Sequence, residues 1–239
     1  MADMQVLGHR GAATAGIPEN TLAAVDRALA LGADGVEVDV RLTRDLVPVL
    51  SHDPGLRRTA GIDRQLGALD LAELPAVGGH AIPTMDEALE LVAGRGLLVL
   101  ELKAPGWRTP CPVEAVAHHL GRHLLDDVVV SSFDRPLLAR LRGRLAVRTA
   151  LLSRPGVPAR VAVQRALADG HDQVHVHVRS LVLRPEVTSE AARRGLEVVG
   201  WTVDDPADLL RCSQSGAAAV ISDRPCAARS VLAGQRRAA

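Results

Sequence analysis

Short β-rich runs alternate with helical stretches along almost the whole chain, and few architectures accept that rhythm. Apolar or alternating runs fall at residues 4–8, 35–42, 47–51, 97–102, 128–132, 146–151, 173–178, 196–203 and 218–221. Helical patterns lie between most of them, at 21–31, 84–93, 111–125, 136–141, 158–168, 185–194 and 206–213. Thr84 with Glu87 three positions on makes a capping box, and Asn20 stands where an N-cap would open the first helix. Strands that alternate with helices imply βαβ units and a parallel sheet. With 239 residues, 47% of them apolar, the chain is long enough for one (β/α)8 TIM barrel, a fold of typically about 250 residues. Nine runs are one more than eight. Residues 40–47 are too few for a crossover helix, so the second and third runs are expected to join as a hairpin-like irregularity. A turn near Arg44 and Asp45 would place residue 52 opposite residue 37. Residues 54–83, rich in Gly, Pro and Arg, read as a short insert after the third strand. No composition break or longer repeat divides the chain, so a single domain over residues 1–239 is expected.

Charge and motifs remove several function classes. The 28 basic and 28 acidic residues cancel, which argues against a nucleic-acid protein held by a basic field. No apolar run approaches the length of a membrane span, so no stable membrane insertion is expected. The start, Met1-Ala2-Asp3-Met4, has no basic and apolar leader pattern, and Cys111, Cys212 and Cys226 have no metal-type spacing. Both point to a cytoplasmic protein without a disulfide framework. No glycine-rich dinucleotide fingerprint and no P-loop is present. No surface stripe indicates an oligomer interface, and the oligomeric state stays open.

The chemistry-bearing residues collect at strand ends. His9 and Arg10 follow the first strand. Glu37 and Asp39 sit two apart on the second and share a face. His52 and Asp53 close the third, and Glu101 and Lys103 close the fourth. In a barrel the C-terminal strand ends form the active-site mouth. Glu37, Asp39 and Glu101 converging there could not all stay ionised without compensation, and a hard divalent cation with oxygen ligands is the natural partner. Arg10 and Lys103 supply positive charge for an anionic substrate. Lys103 is the only lysine, which favours a specific role over a passing ion pair. His9 and His52 suit proton transfer near neutral pH. Together these residues read as metal-assisted phosphoryl chemistry. Trp107, Phe133 and Trp201 are the only three aromatic residues of the Phe, Tyr and Trp class, and all fall near strand ends. Phe133 and Trp201 are expected to line the substrate pocket. Asn20 is as well suited to substrate contact as to a helix cap, and Glu19 beside it could reach the site.

The same residues carry a family resemblance. His9-Arg10-Gly11, Pro18-Glu19-Asn20-Thr21, Glu37-Val38-Asp39-Val40, His52-Asp53 and Glu101-Leu102-Lys103 occur in that order. Ser131-Ser132-Phe133, Gly200-Trp201-Thr202-Val203 and Ile221-Ser222-Asp223-Arg224-Pro225 follow. The series resembles the glycerophosphodiester phosphodiesterase family over residues 5 to about 225. The resemblance implies a barrel related to phosphatidylinositol-specific phospholipases. It implies hydrolysis of glycerophosphodiesters to glycerol 3-phosphate and an alcohol, with one divalent cation, Mg²⁺ or Ca²⁺. By motif, Glu37, Asp39 and Glu101 would bind the cation, His9 and His52 would be general acid and base in either order, and Arg10 and Lys103 would hold the phosphate. The nucleophile would be water or a neighbouring glycerol hydroxyl that forms a cyclic phosphate.

Three rival readings stand beside this one. A lysophospholipase D or sphingomyelinase D-like enzyme would keep the chemistry and take a lipid, for which residues 54–83 lack an obvious apolar loop. A zinc amidohydrolase-type barrel would need His175 and His177, which share a strand face but read more simply as pocket-lining histidines. A non-catalytic phosphodiester-binding module should have lost a histidine or an acid, and every position is filled. His80, His118, His119, His123 and His171 read as surface residues, and Arg57 and Arg58 as part of a solvated loop.

Overall fold

Parallel pairing of the first strand with both the second and the last closes the sheet on itself. The computed structural model describes residues 3–104 and 111–238, with the side chains described through residue 235. In chain order the elements are β1 (Gln5–His9), α1 (Leu22–Ala30), β2 (Gly35–Leu42), β3 (Pro48–Leu50), α2 (Arg57–Ala60), α3 (Met85–Val92), β4 (Leu97–Leu102) and α4 (Val113–Leu120). They continue as β5 (Val128–Ser132), α5 (Arg135–Arg142), β6 (Arg148–Leu152), α6 (Ala159–Asp169), β7 (Gln173–His177), α7 (Val178–Val182) and α8 (Glu186–Ala192). The last are β8 (Glu197–Trp201), α9 (Pro206–Ser215), β9 (Ala219–Ser222) and α10 (Pro225–Ala238). Eight parallel strands form the closed barrel, in the order β1-β9-β8-β7-β6-β5-β4-β2, and this is the (β/α)8 fold expected from the alternation. β3 lies outside the ring, antiparallel on β2.

The strands are apolar on both faces because both are covered, as parallel sheets require. Leu98, Leu100 and Leu102 belong to the large core between strands and helices. Their alternate neighbours Leu97 and Val99 pack with Leu7, Val129, Ala150, Val199, Ala219 and Ile221 inside the barrel. Gly35 enters that interior where a Cβ would lie 2.1 Å from the Leu97 carbonyl oxygen, so only glycine lets β2 and β4 pair there. Thr84 and Glu87 form the expected capping box on α3. The insert after β3 is held by Val49, Leu56, Leu66 and Leu69, a small core of its own.

Four expectations change. The cap of α1 is Thr21, whose hydroxyl accepts from Ala24 N, and not Asn20. Asn20 instead takes φ +56°, a left-handed conformation that Asn tolerates, and is committed elsewhere. Val40 pairs with Leu50, one residue off the expected register, so residue 52 falls in line with residue 38 rather than 37, and Ser51 N donates to Asp39 O. The reversal spans residues 43–47 with Leu46 at φ +66°, one residue longer than a turn at Arg44 and Asp45 provides. The helix expected over 111–125 is confined to Val113–Leu120, ending at Gly121. Of the five histidines read as surface residues, one is buried and two half-buried ones are engaged. His171 is buried with Nδ1 3.0 Å from Thr149 Oγ1, and His119 and His123 both reach Asp86, at 2.7 and 3.2 Å.

His175 lies inside the barrel, fully buried. Its Nε2 is 3.0 Å from Gln173 Oε1, and Gln173 Nε2 donates to Glu197 at 2.7 Å, while His175 Nδ1 has no partner among the described residues. Burial alone pushes its pKa down to about 3. The unfolded chain takes up this proton near pH 6.5 and the folded chain does not until about pH 3. The folded state therefore loses nothing above pH 6.5 and loses stability as pH falls below it, by up to about 1.4 kcal/mol per pH unit. Denaturant titrations at pH 7 and pH 5 should show that His175→Asn removes about 2 kcal/mol of the stability loss between the two. An equal loss in the variant would place the acid sensitivity elsewhere.

Candidate active site

Register assembles the acidic centre. Asp39 pairs with Glu101 across β2 and β4, and His9 pairs with Glu37 across β1 and β2. His9 ends β1 and Glu101 is next to last in β4, and this register brings Glu37 and Asp39 of β2 level with them on the inward face. Glu37, Asp39 and Glu101 are buried, and each offers an oxygen within 4.8 Å of the others. Lys103 Nζ lies 2.6 Å from Asp39 Oδ1 and 2.5 Å from Glu101 Oε1. Arg10 Nε lies 3.2 Å from Asp39 Oδ2, and its Nη1 2.9 Å from Glu19 Oε1. Asn20 clamps Asp39 from both sides: its Nδ2 donates to Oδ2 at 2.8 Å, and its Oδ1 accepts from Asp39 N at 3.0 Å.

The charges settle unevenly. Burial would raise Asp39, but Lys103 and Arg10 hold its carboxyl below the ordinary range. Burial, reinforced by the charge of Asp39, pushes Glu37 up to about 8, because its compensating neighbours are fewer. Burial opposes charge on Lys103, yet Asp39 and Glu101 raise it. A buried all-oxygen set whose third member ionises poorly by itself fits a divalent cation, and oxygen donors suit Mg²⁺ or Ca²⁺. Among the described residues this is the one group of acids, histidines and cysteines so placed.

Each histidine is backed by a carboxylate. His9 Nδ1 is 2.6 Å from Asp223 Oδ1, and its Nε2 points to Glu37 Oε2 at 3.9 Å. Burial lowers the His9 pKa, but Asp223 and Glu37 outweigh it and the net shift is upward. His52 Nδ1 is 2.7 Å from Asp53 Oδ1. A carboxylate on Nδ1 fixes the tautomer and leaves Nε2 to exchange a proton. Among the described residues no hydrogen bond joins the two histidines.

Phe133 follows β5 and Trp201 ends β8, with ring centroids 5.6 Å apart. Trp201 Nε1 donates to His175 O at 3.2 Å. Trp107 lies outside the described residues. His177 stands edge-on to Trp201 at 5.3 Å, and His175 is spent inside the barrel, so the two do not make a metal pair.

Sequence reasoning missed the supporting residues. Arg58, read as part of a solvated loop, donates from Nε to Asp53 Oδ2 at 2.5 Å and from Nη2 to Glu19 Oε1 at 2.6 Å. One α2 side chain thus links the carboxylate behind His52 to the carboxylate beside Arg10. Asp223 was legible only as part of a motif. Its signal is an acid at the end of the last strand, which closure brings beside the first.

Comparison with known proteins places this geometry. Residues 9–227 match the glycerophosphoryl diester phosphodiesterase family. The chain belongs to that family. A glycerophosphodiester phosphodiesterase of Caldanaerobacter subterraneus is 28% identical over 92% of this chain and 94% of its own. The glycerophosphodiester phosphodiesterase structure from Thermotoga maritima superposes with a TM-score of 0.82 at 27% identity, over 97% of this chain and 99% of that one. A phosphodiesterase from Oleispira antarctica, solved with its product sn-glycerol 3-phosphate, gives 0.82 at 28% identity over 97% of both chains. A human lysophospholipase D is 43% identical over 67 residues, 28% of this chain and 21% of its own.

Removing Arg58 should loosen both attachments at once. Arg58→Ala is expected to lower kcat on a glycerophosphodiester about 10- to 100-fold, the usual effect of losing an outer-shell partner. Its half-exposed ion pairs contribute little to stability, so the melting temperature should stay within a few degrees of the parent. A fall in melting temperature that accounts for the lost activity would assign Arg58 a structural role instead.

Proposed function

We propose that this chain, as a single barrel domain, hydrolyses glycerophosphodiesters to sn-glycerol 3-phosphate and an alcohol. The observation that carries the reading is the pair of carboxylate-backed histidines, His9 with Asp223 and His52 with Asp53, at the edge of a buried three-carboxylate cradle. Glu37, Asp39 and Glu101 would hold one divalent cation, Mg²⁺ or Ca²⁺. When bound, the cation offsets charge on the phosphate oxygens.

The chain's own residues do the rest. Arg10 and Lys103 lie against the cradle and bring positive charge to the phosphate and to the added charge of its transition state. One histidine takes the proton of the attacking water, or of a glycerol hydroxyl whose cyclic phosphate water then opens, as the oxygen bonds to phosphorus. The other gives a proton to the departing alkoxide as its P–O bond breaks. Asp223 and Asp53 keep each Nε2 in the tautomer that allows this. Phe133 and Trp201 line the side where the organic part of the substrate lies. The glycerol 3-phosphate held by the Oleispira relative supports the product class.

A lipid substrate is the weaker reading. The lysophospholipase D match covers 28% of this chain. Ile62 is the sole large hydrophobic of the insert to stand exposed among the described residues, at 38%.

Activity on glycerophosphodiesters should vanish in EDTA and return with Mg²⁺ or Ca²⁺. The cation should also raise stability, by about 2.7 kcal/mol at one hundred times its Kd, read as a rise in melting temperature. Glu37→Gln should lose both responses. His52→Ala should keep the thermal response and lose about 10²- to 10⁴-fold in kcat. Full activity in EDTA, or His52→Ala with parent-like kcat, would remove the mechanism.

A further inference from the structure

Alternation along β2 carries one more charge toward the mouth. Val36, Val38 and Val40 belong to the core between strands and helices, so Glu37, Asp39 and Arg41 share the opposite, inward face. Val40 pairs with Leu102, which sets Arg41 level with Lys103 just past the end of β4. Arg41 Nε donates to the His52 carbonyl oxygen at 2.9 Å, and this bond holds the guanidinium on the His52 side of the acid cradle.

The other two nitrogens of that guanidinium are uncommitted. Neither Nη of Arg41 has a hydrogen-bond partner among the described residues, and Arg41 joins no ion pair there, although it is half-buried. The remaining cations around the site are all spent on carboxylates. Lys103 lies between Asp39 and Glu101, Arg10 between Asp39 and Glu19, and Arg58 between Asp53 and Glu19. The acids whose charge reaches Arg41 are Asp39, Asp53 and Glu101, and each already has one of these closer cations. A half-buried guanidinium with both terminal nitrogens free lacks an anion, and its fork fits the paired oxygens of a phosphate.

The phosphate is the one part of a diester whose place does not depend on which organic arm lies where. It has to stand where His52 can reach one of its ester oxygens, and Arg41 is bonded to His52 itself. Lys103, level with Arg41, flanks the same position from β4.

We infer that Arg41 is a third phosphate-binding residue of this site, its two terminal nitrogens gripping the phosphate oxygens that the substrate and its phosphomonoester product share. The inference rests on the phosphodiesterase reading above. It is tested by calorimetric titration of sn-glycerol 3-phosphate into the cation-loaded parent, Arg41→Gln and Arg41→Lys, beside kcat and KM for glycerophosphocholine. Loss of charge-assisted hydrogen bonds should weaken the product about 10- to 100-fold in Arg41→Gln, and KM should rise with it. Arg41→Lys keeps the charge and loses the fork, so it should weaken binding less, and it carries the test if the glutamine variant does not fold. Glutamine still offers a donor to the His52 carbonyl. Product affinity unchanged in both variants overturns the inference. So does a fall in kcat with that affinity kept, which would confine Arg41 to holding His52. Either result, with a parent that cleaves the diester, leaves the phosphodiesterase reading standing. A parent that neither binds glycerol 3-phosphate nor cleaves glycerophosphodiesters removes that reading, and the inference with it.

Discussion

Three carboxylates forced into one buried pocket are the constraint around which this barrel is organised. Parallel register puts Glu37, Asp39 and Glu101 on the inward face of adjacent strands, and nothing in the strands themselves relieves their repulsion. Relief comes from outside the ladder. Lys103 lies just beyond β4 and spans Asp39 and Glu101, and Arg10 lies just beyond β1 and reaches Asp39. Stripping one partner from a buried ion pair costs about 3–5 kcal/mol, so these two cations hold the structure beside their proposed part in binding phosphate. The incomplete relief of Glu37 is the part a bound cation would supply.

The backbone bends to deliver that relief. Arg10 and Asn20 both have positive φ, a costly conformation for residues with side chains. They occur at the two ends of one loop, and Asn20 N donates to Arg10 O across it. The bend aims the Arg10 guanidinium at Asp39 and Glu19 while its own N–H reaches Glu37 at 3.3 Å. The same geometry lets Asn20 grip Asp39 twice. Gly11, at φ +86°, sits so close to α1 that a Cβ would lie 2.5 Å from the Ala24 carbonyl carbon. The loop is therefore a rigid bracket between the first strand and the acid cradle.

The barrel and the charged centre were legible because both are written in short-range pattern. Alternation fixes which residues share a face, so Glu37 with Asp39 and Glu101 with Lys103 could be placed together before any contact was known. The single lysine and the single asparagine of the chain both prove to touch Asp39. What escaped depends on pairing between distant segments. Asp223 meets His9 across 214 residues because β1 hydrogen-bonds to β9, and no local pattern reports a closure contact. Arg58 reads as one more arginine in a polar loop until the insert folds back on α1's leading loop. Asn20 misled in a different way: it has the chemistry of an N-cap, but Thr21 one residue later has it too, and only the helix geometry decides between them.

The two histidines take their orientation from opposite ends of the chain's logic. His9 depends on closure, because its carboxylate arrives with the last barrel strand, itself braced through Asp204, which accepts from Ser222 Oγ and Asp223 N. His52 depends on the insert, because Asp53 is held by Arg58 of α2. β3, which carries His52 toward the mouth, is not part of the ring at all. One of the two histidines proposed for proton transfer therefore stands on the barrel wall and the other on an added ledge. An in-line displacement at phosphorus needs groups on opposite sides of the reacting atom. A ring of parallel strands alone presents its strand ends around one circle, and the antiparallel β3 with its insert supplies a second support from which a residue can face the wall.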